Sequence, residues 1–219
     1  LTDGIQCWGY VGWISSVSYS QNFYGRSNAG EEMGSNLPYL STATNVVKWD
    51  SYNYKNCELT SEGTVYRWGS WSGIDSKYEN RVEELTGAKD VSCDDNHGCA
   101  VMLDGSVQCF GSSSYSVFLI TSVTNAVSVV AGERYTCVLT TEKKVFCSGT
   151  RLPGTSGPVV ELEEFEGAIQ ISGRRYGFCA ILHSGVVKCT GIDSYSSMGS
   201  AKSGTYIKYD KPNTIAMIG

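Results

Sequence analysis

The sequence predicts an all-β chain, a β-propeller with about five repeat units visible. Three observations predict it. The stretch Val91 to Gly111, VSCDDNHGCAVMLDGSVQCFG, reads as a strand, a short polar loop, a strand, a tight turn and a strand. The pattern returns at Cys57 to Gly69, Cys137 to Gly149 and Cys179 to Gly191, and its second half opens the chain at Asp3 to Gly9. The glycines that close it, Gly9, Gly69, Gly111, Gly149 and Gly191, are spaced by 60, 42, 38 and 42 residues. A period near 40 with about four short strands per unit is the mark of propeller blades.

The turn of each hairpin carries the register. Folding the central unit about Asp104 sets Cys99 opposite Cys109 and Val101 opposite Val107. Leu103-Asp104-Gly105 then forms a three-residue loop, whose last place needs a left-handed residue and suits glycine. Directly opposed residues of an antiparallel pair stand close enough for a disulfide. Cys137/Cys147 and Cys179/Cys189 have the same spacing, so three cross-strand disulfides are expected. Lys143 stands where other turns have glycine; it is expected to be left-handed or to sit in a rebuilt turn.

Upstream of each hairpin lies an apolar strand. Six residues before the hairpin cysteine stands a small residue, Ser51, Cys93, Ala131 or Gly173, which predicts a close approach of backbones. The units divide into a partial blade at 1–9, an insertion at 10–39, blades at roughly 40–82, 83–120, 121–160 and 161–205, and a partial strand at 212–219. The two ends read as halves of one unit, which predicts a closed ring with one shared blade or a part of a larger ring. Cys7 lacks a partner in its own hairpin, which is expected upstream of Leu1. Cys57 faces Arg67 and Cys93 sits at the small-residue position, so both are expected as free thiols. Trp8, Trp68 and Phe110 precede closing glycines and are expected to pack between blades. Glu161 to Glu166, ELEEFE, reads as a solvent-facing outer strand with Val160 and Leu162 inward.

Composition narrows the functions. The net charge is −5, which argues against a phosphate backbone as partner. The adjacent basic pairs, Arg174-Arg175 and Lys143-Lys144, read as solvated turn residues. No apolar run approaches 18 residues, so no membrane span is expected. Without a CxxC and with only His97 and His183, metal binding is not expected. Glu31-Glu32 near Asn36 match no calcium loop. The two histidines fall at different repeat positions, and Tyr135 stands where His97 does, so His97 reads as a strand-end hydrogen-bonding residue rather than a base. No nucleophile motif, P-loop or zinc-protease motif occurs. No enzyme, cofactor or metal is therefore expected. The cysteine pairs point to an oxidising compartment.

The motif Cys99 to Gly111, CAVMLDGSVQCFG, resembles the RCC1-like repeat family, and Gly30 to Pro38, GEEMGSNLP, resembles an elaborated loop of some members. The resemblance covers most of the chain and implies a propeller; family members usually form seven-bladed rings. It leaves function wide, since the family includes exchange factors for a small GTPase, light receptors and secreted inhibitors of β-lactamase. The chain lacks most of the family's N-x-x-G-Q-L-G segments.

The expected function is an extracellular or cell-surface protein-binding or assembly module, contacting a protein or surface polymer, or other subunits of an assembly. Aromatic residues in the variable segments, Trp13, Tyr24, Trp71, Tyr78, Tyr115 and Tyr195, are the candidate contacts, because such side chains give large contact area at low entropic cost. The alternatives are a secreted enzyme inhibitor, a carbohydrate-binding propeller lectin and an intracellular GTPase-exchange regulator.

Overall fold

A computed structural model describes residues 45–52, 55–69, 80–81, 85–94, 97–111, 120, 122–150, 152, 157–191 and 209–211. They form four antiparallel sheets, the blades of a β-propeller. Blade 1 is β1 (Val46–Tyr52), β2 (Lys55–Thr60), β3 (Val65–Gly69) and β4 (Asn80–Arg81), paired in that order. Blade 2 is β5 (Ala88–Cys93), β6 (His97–Met102) and β7 (Val107–Gly111). Blade 3 is β8 (Ala126–Gly132), β9 (Tyr135–Thr140), β10 (Val145–Gly149) and β11 (Gly157–Glu161). Blade 4 is β12 (Ala168–Arg174), β13 (Gly177–Leu182), β14 (Val187–Gly191) and β15 (Tyr209–Lys211), the last lying beyond residue 205.

The central hairpins have the register read from the turns. Cys99 faces Cys109, Cys137 faces Cys147 and Cys179 faces Cys189. Each pair is joined by a disulfide, with Cα atoms 3.9, 4.1 and 4.0 Å apart. In the turn of blade 2, the Gly105 N–H donates to the Met102 carbonyl at 2.9 Å and the Met102 N–H to the Ser106 carbonyl at 2.9 Å. Gly105 is left-handed at φ 82°, and Lys143 in blade 3 adopts the same conformation at φ 62°. A side chain costs about 1–2 kcal/mol in that region, so Lys143 carries local strain. The neighbours explain why the position is fixed. The carbonyls of Gly63, Gly105 and Lys143 each accept the N–H that opens the next blade's inner strand, from Ala88, Ala126 and Ala168. A Cβ on Gly105 would run into the Thr124 carbonyl.

The core lies between the sheets rather than inside any one of them. Strands β6 and β9 are buried along their whole length, because both faces of each sheet are covered. Each of blades 1 to 3 offers three apolar residues to the next. Cys57, Leu59 and Val65 form one cluster with Val91 and Ala100 of blade 2. Cys99, Val101 and Val107 do the same with Val129 and Val138 of blade 3. Cys137, Leu139 and Val145 repeat it with Ile171 and Ala180 of blade 4, where Phe165 and Phe178 also meet edge to face at 5.2 Å.

The structure corrects two readings. Cys57 and Cys93 are not free thiols; they are bonded to each other across the blade 1–blade 2 boundary, with Cα atoms 6.2 Å apart. The small-residue position lies against the preceding blade's second strand, so a cysteine there meets that strand's cysteine. Arg67 takes the place of a cross-strand cysteine because Cys57 is already bonded, and its guanidinium lies 6.0 Å from the centroid of the Phe110 ring in blade 2. The ELEEFE stretch is an outer strand only as far as Glu161. Glu163–Phe165 is a 3-10 turn that buries Leu162 and Phe165 and leads into β12. Arg174 ends β12 and Arg175 lies in the turn after it; both are exposed, in line with the solvated reading, and both are ion-paired, as described below.

Two outcomes follow from these contacts. Replacing Lys143 by glycine should raise the thermal midpoint by a few degrees, about 1 kcal/mol, since strain is relieved at the cost of chain entropy; a lowered midpoint would contradict the strain. Cys57→Ser should cost about 2–4 kcal/mol in denaturant titration and expose one new thiol, on Cys93, after unfolding.

Candidate functional site

One end of the blades gathers their variable parts. The inner strand of each blade turns into the second through a hairpin, at Tyr52–Lys55, Cys93–Gly98, Gly132–Tyr135 and Arg174–Gly177. Opposite the start of each second strand stands the closing glycine: Lys55 faces Gly69, His97 faces Gly111, Tyr135 faces Gly149 and Gly177 faces Gly191. The variable segments leave at those glycines. They return to outer strands that run back from the same end, as the pairing of Tyr66 with Arg81 and of Cys147 with Val160 requires. The six aromatic candidates, Trp13, Tyr24, Trp71, Tyr78, Tyr115 and Tyr195, all lie outside the described residues.

What is described at this end is a set of paired charges and tyrosines. The Arg174 Nη2 donates to Asp50 Oδ1 at 3.5 Å, linking blade 4 to blade 1, and its guanidinium lies 5.7 Å from the Tyr52 ring centroid. The Arg175 Nε donates to Glu133 at 3.3 Å, its backbone N–H to Asp94 at 3.2 Å, and its guanidinium stacks 4.7 Å from the Tyr176 ring. The Arg175 carbonyl accepts from the Glu133 N–H at 2.8 Å, so the hairpins of blades 3 and 4 are bonded directly. Both guanidiniums face a carboxylate. The patch is thus a mosaic of charge and aromatic surface rather than a positive field, and such Arg and Tyr groups suit contact with another protein.

Beneath the hairpins the blades are tied by polar contacts. The Asp50 Oδ2 accepts from Ser92 Oγ at 2.7 Å and from the Cys93 N–H at 3.0 Å. Ser92 Oγ accepts in turn from the Ala131 N–H at 3.0 Å. Asp90 accepts from the Val129 N–H at 2.9 Å and pairs with Lys48. Tyr135 donates its hydroxyl to the Gly177 carbonyl at 2.6 Å, and burial, with the charge of Asp94 after it, raises its pKa well above the ordinary tyrosine range. At the equivalent place in blade 2, His97 Nε2 meets Thr136 Oγ1 at 2.7 Å. Burial lowers the His97 pKa to about 4. His97 therefore joins two blades as a neutral ring. None of Asp50, Asp90, Ser92, Glu133 and Thr136 was singled out from the sequence. The signal was available: Asp50 and Ser92 share one repeat position. Among the described residues, no group of His, Cys, Asp and Glu is arranged to hold a metal ion, and no helix is long and apolar enough to cross a membrane.

Residues 88–116 match the model of the "Regulator of chromosome condensation (RCC1) repeat". No curated protein sequence matches the chain. Its fold is similar to human WBSCR16, at TM-score 0.64 and 20% identity over 89% of this chain and 61% of that one. It is similar also to yeast RCC1 (Prp20) bound to Kap60, at TM-score 0.59 and 16% identity over 78% of this chain and 50% of that one. A third likeness is the CRINKLY WD40 ectodomain of the Arabidopsis thaliana receptor kinase ACR4, at TM-score 0.50 and 21% identity over 67% of this chain and 50% of that one. The chain spans about half to three-fifths of the length of these solved chains. The repeat match and the propeller likenesses support an RCC1-like repeat fold.

The buried His97 gives acid sensitivity with a defined sign. Above pH 6.5 the ring is neutral in both the folded and unfolded states and contributes no slope. Below 6.5 the unfolded chain takes a proton that the folded one refuses until about pH 4, so stability falls across that window. The loss should reach roughly 3 kcal/mol by pH 4, and His97→Gln, which keeps a partner for Thr136, should remove that part of the slope in urea titrations at pH 7, 5.5 and 4. An unchanged slope in the variant would place the titration elsewhere.

Proposed function

We propose that this chain is an extracellular protein-binding module, engaging a protein partner or a neighbouring subunit through the hairpin end of its blades. One observation carries the reading: the closing glycines, from which every variable segment departs, stand at the same end as the Arg174–Tyr52 and Arg175–Tyr176 pairs. A rigid scaffold with its variable segments gathered on one end is the usual layout of a binding surface. An RCC1-like propeller suggests protein binding in the same way. Four disulfides among the described residues support an oxidising compartment, since such bonds are rare in reducing ones. The ACR4 ectodomain is a neighbour of like fold whose name places it outside the cell.

The test has two arms. Protein isolated from its source without reductant should yield disulfide-linked peptides at Cys57–Cys93, Cys99–Cys109, Cys137–Cys147 and Cys179–Cys189; free thiols at all of them would remove the extracellular half of the reading. Partners captured from the fluid outside the source cells should bind a Trp71→Ser, Tyr78→Ser, Tyr115→Ser triple variant about ten-fold or more weakly, at unchanged thermal midpoint. Unchanged binding by that variant would remove the hairpin-end surface.

A further inference from the structure

The rule by which blades cover one another leaves one face of blade 1 without its cover among the described residues. Val91, Val129 and Ile171 occupy one repeat position on β5, β8 and β12 and are 0, 1 and 7% exposed. Each is buried in a cluster with three apolar residues of the blade before it. The residue at that position on β1 is Trp49, and it is 41% exposed. The rest of β1 follows suit, alternating half-buried and exposed residues where β5 is buried nearly throughout. A tryptophan this open, on the one inner strand with no described blade before it, marks a face made to be covered.

The sequence holds a matching cover. The unit before blade 1 ends in Ile5-Gln6-Cys7-Trp8-Gly9, which aligns with Val107-Gln108-Cys109-Phe110-Gly111. Ile5 is therefore the counterpart of Val65, Val107 and Val145, the third apolar member in each of the covering sets. We propose that the segment 5–9, which lies outside the described residues, is the cover of blade 1 and seats Ile5 against Trp49, as Val65 shares its cluster with Val91. The rival occupant is a second copy, whose blade 4 offers Cys179, Ile181 and Val187 in the same arrangement. Covalent continuity favours the chain's own strand. A tether of 36 residues, 10 to 45, holds it at an effective concentration far above that of a second copy in dilute solution.

Replacing Trp49 by the photocrosslinker benzoylphenylalanine tests this, because an aromatic of similar size keeps the face. Irradiation at low micromolar concentration should join residue 49 to a peptide within residues 1–9 of the same chain. Ile5→Asp should lower that yield about ten-fold or more, whereas Leu1→Asp should leave it unchanged. A crosslinked dimer would replace the chain's own strand with a second copy. Irradiation that joins residue 49 to no protein segment, or to one elsewhere in the chain, would overturn the proposal outright.

Discussion

Everything in this fold depends on one contact: three apolar residues of a blade's central hairpin pressed onto the inner strand of the next. A three- or four-stranded sheet cannot bury enough surface alone, and here both of its faces need cover. Cys57, Leu59 and Val65 against Val91, and their repeats in blades 2 and 3, provide that cover. The contact explains why the chain repeats at all, since each unit is at once the cover of one neighbour and the covered face of the other. It also explains the two kinds of disulfide. A cysteine at the first covering position can bond across its own hairpin, as Cys99 and Cys137 do, or forward into the next blade, as Cys57 does. In blade 1 the second choice frees the cross-strand place for Arg67, which then lies over Phe110.

The same stacking creates a problem that the polar residues solve. Each inner strand is the edge of its sheet, so every second N–H points away from its own ladder and would be costly to bury without a partner. In blades 2 and 3 the preceding blade supplies acceptors for three of them. Asp50 takes the Cys93 N–H, Asp90 takes that of Val129, and Ser92 takes that of Ala131. Charge makes these bonds strong, and Lys48 and Arg174 balance the carboxylates that make them. The buried polar residues at the centre are thus the equivalent of ladder partners, which accounts for polar side chains on strands that otherwise read as apolar.

How much of this was legible in the sequence depended on whether the cause was local. The hairpin register was, because Asp104 and Gly105 fix it within a few residues and the cysteines stand symmetrically about the turn. The left-handed Lys143 followed from the same logic. The Cys57–Cys93 bond was not, because it is set by how far apart two blades sit, and repeat spacing says which residues are equivalent but not which equivalents touch. The 3-10 turn at Glu163–Phe165 was missed for a similar reason: Phe165 is pulled in to meet Phe178, a contact that alternation along ELEEFE does not reveal. Arg174 and Arg175 read as solvated turn residues, and their exposure agrees. Their partners Asp50 and Glu133 come from other blades, which charge patterning along one segment cannot show.

The two ends of the blades are unequal in what they can change. At the end of the Gly63, Gly105 and Lys143 turns, the left-handed carbonyl of each turn is committed to the first N–H of the next blade, and a Cβ on Gly105 would strike the Thr124 carbonyl. An insertion there, or a side chain at Gly105, would disturb the joint between blades. At the hairpin end, the closing glycines are the last residues of each third strand that pair with the second, and the outer strands pair again further along the chain. Length and composition can drift there at little cost to the core, which is why loops on rigid scaffolds carry recognition. The 60-residue spacing between Gly9 and Gly69, the widest in the chain, falls after a closing glycine, at the place the stacking rule leaves free.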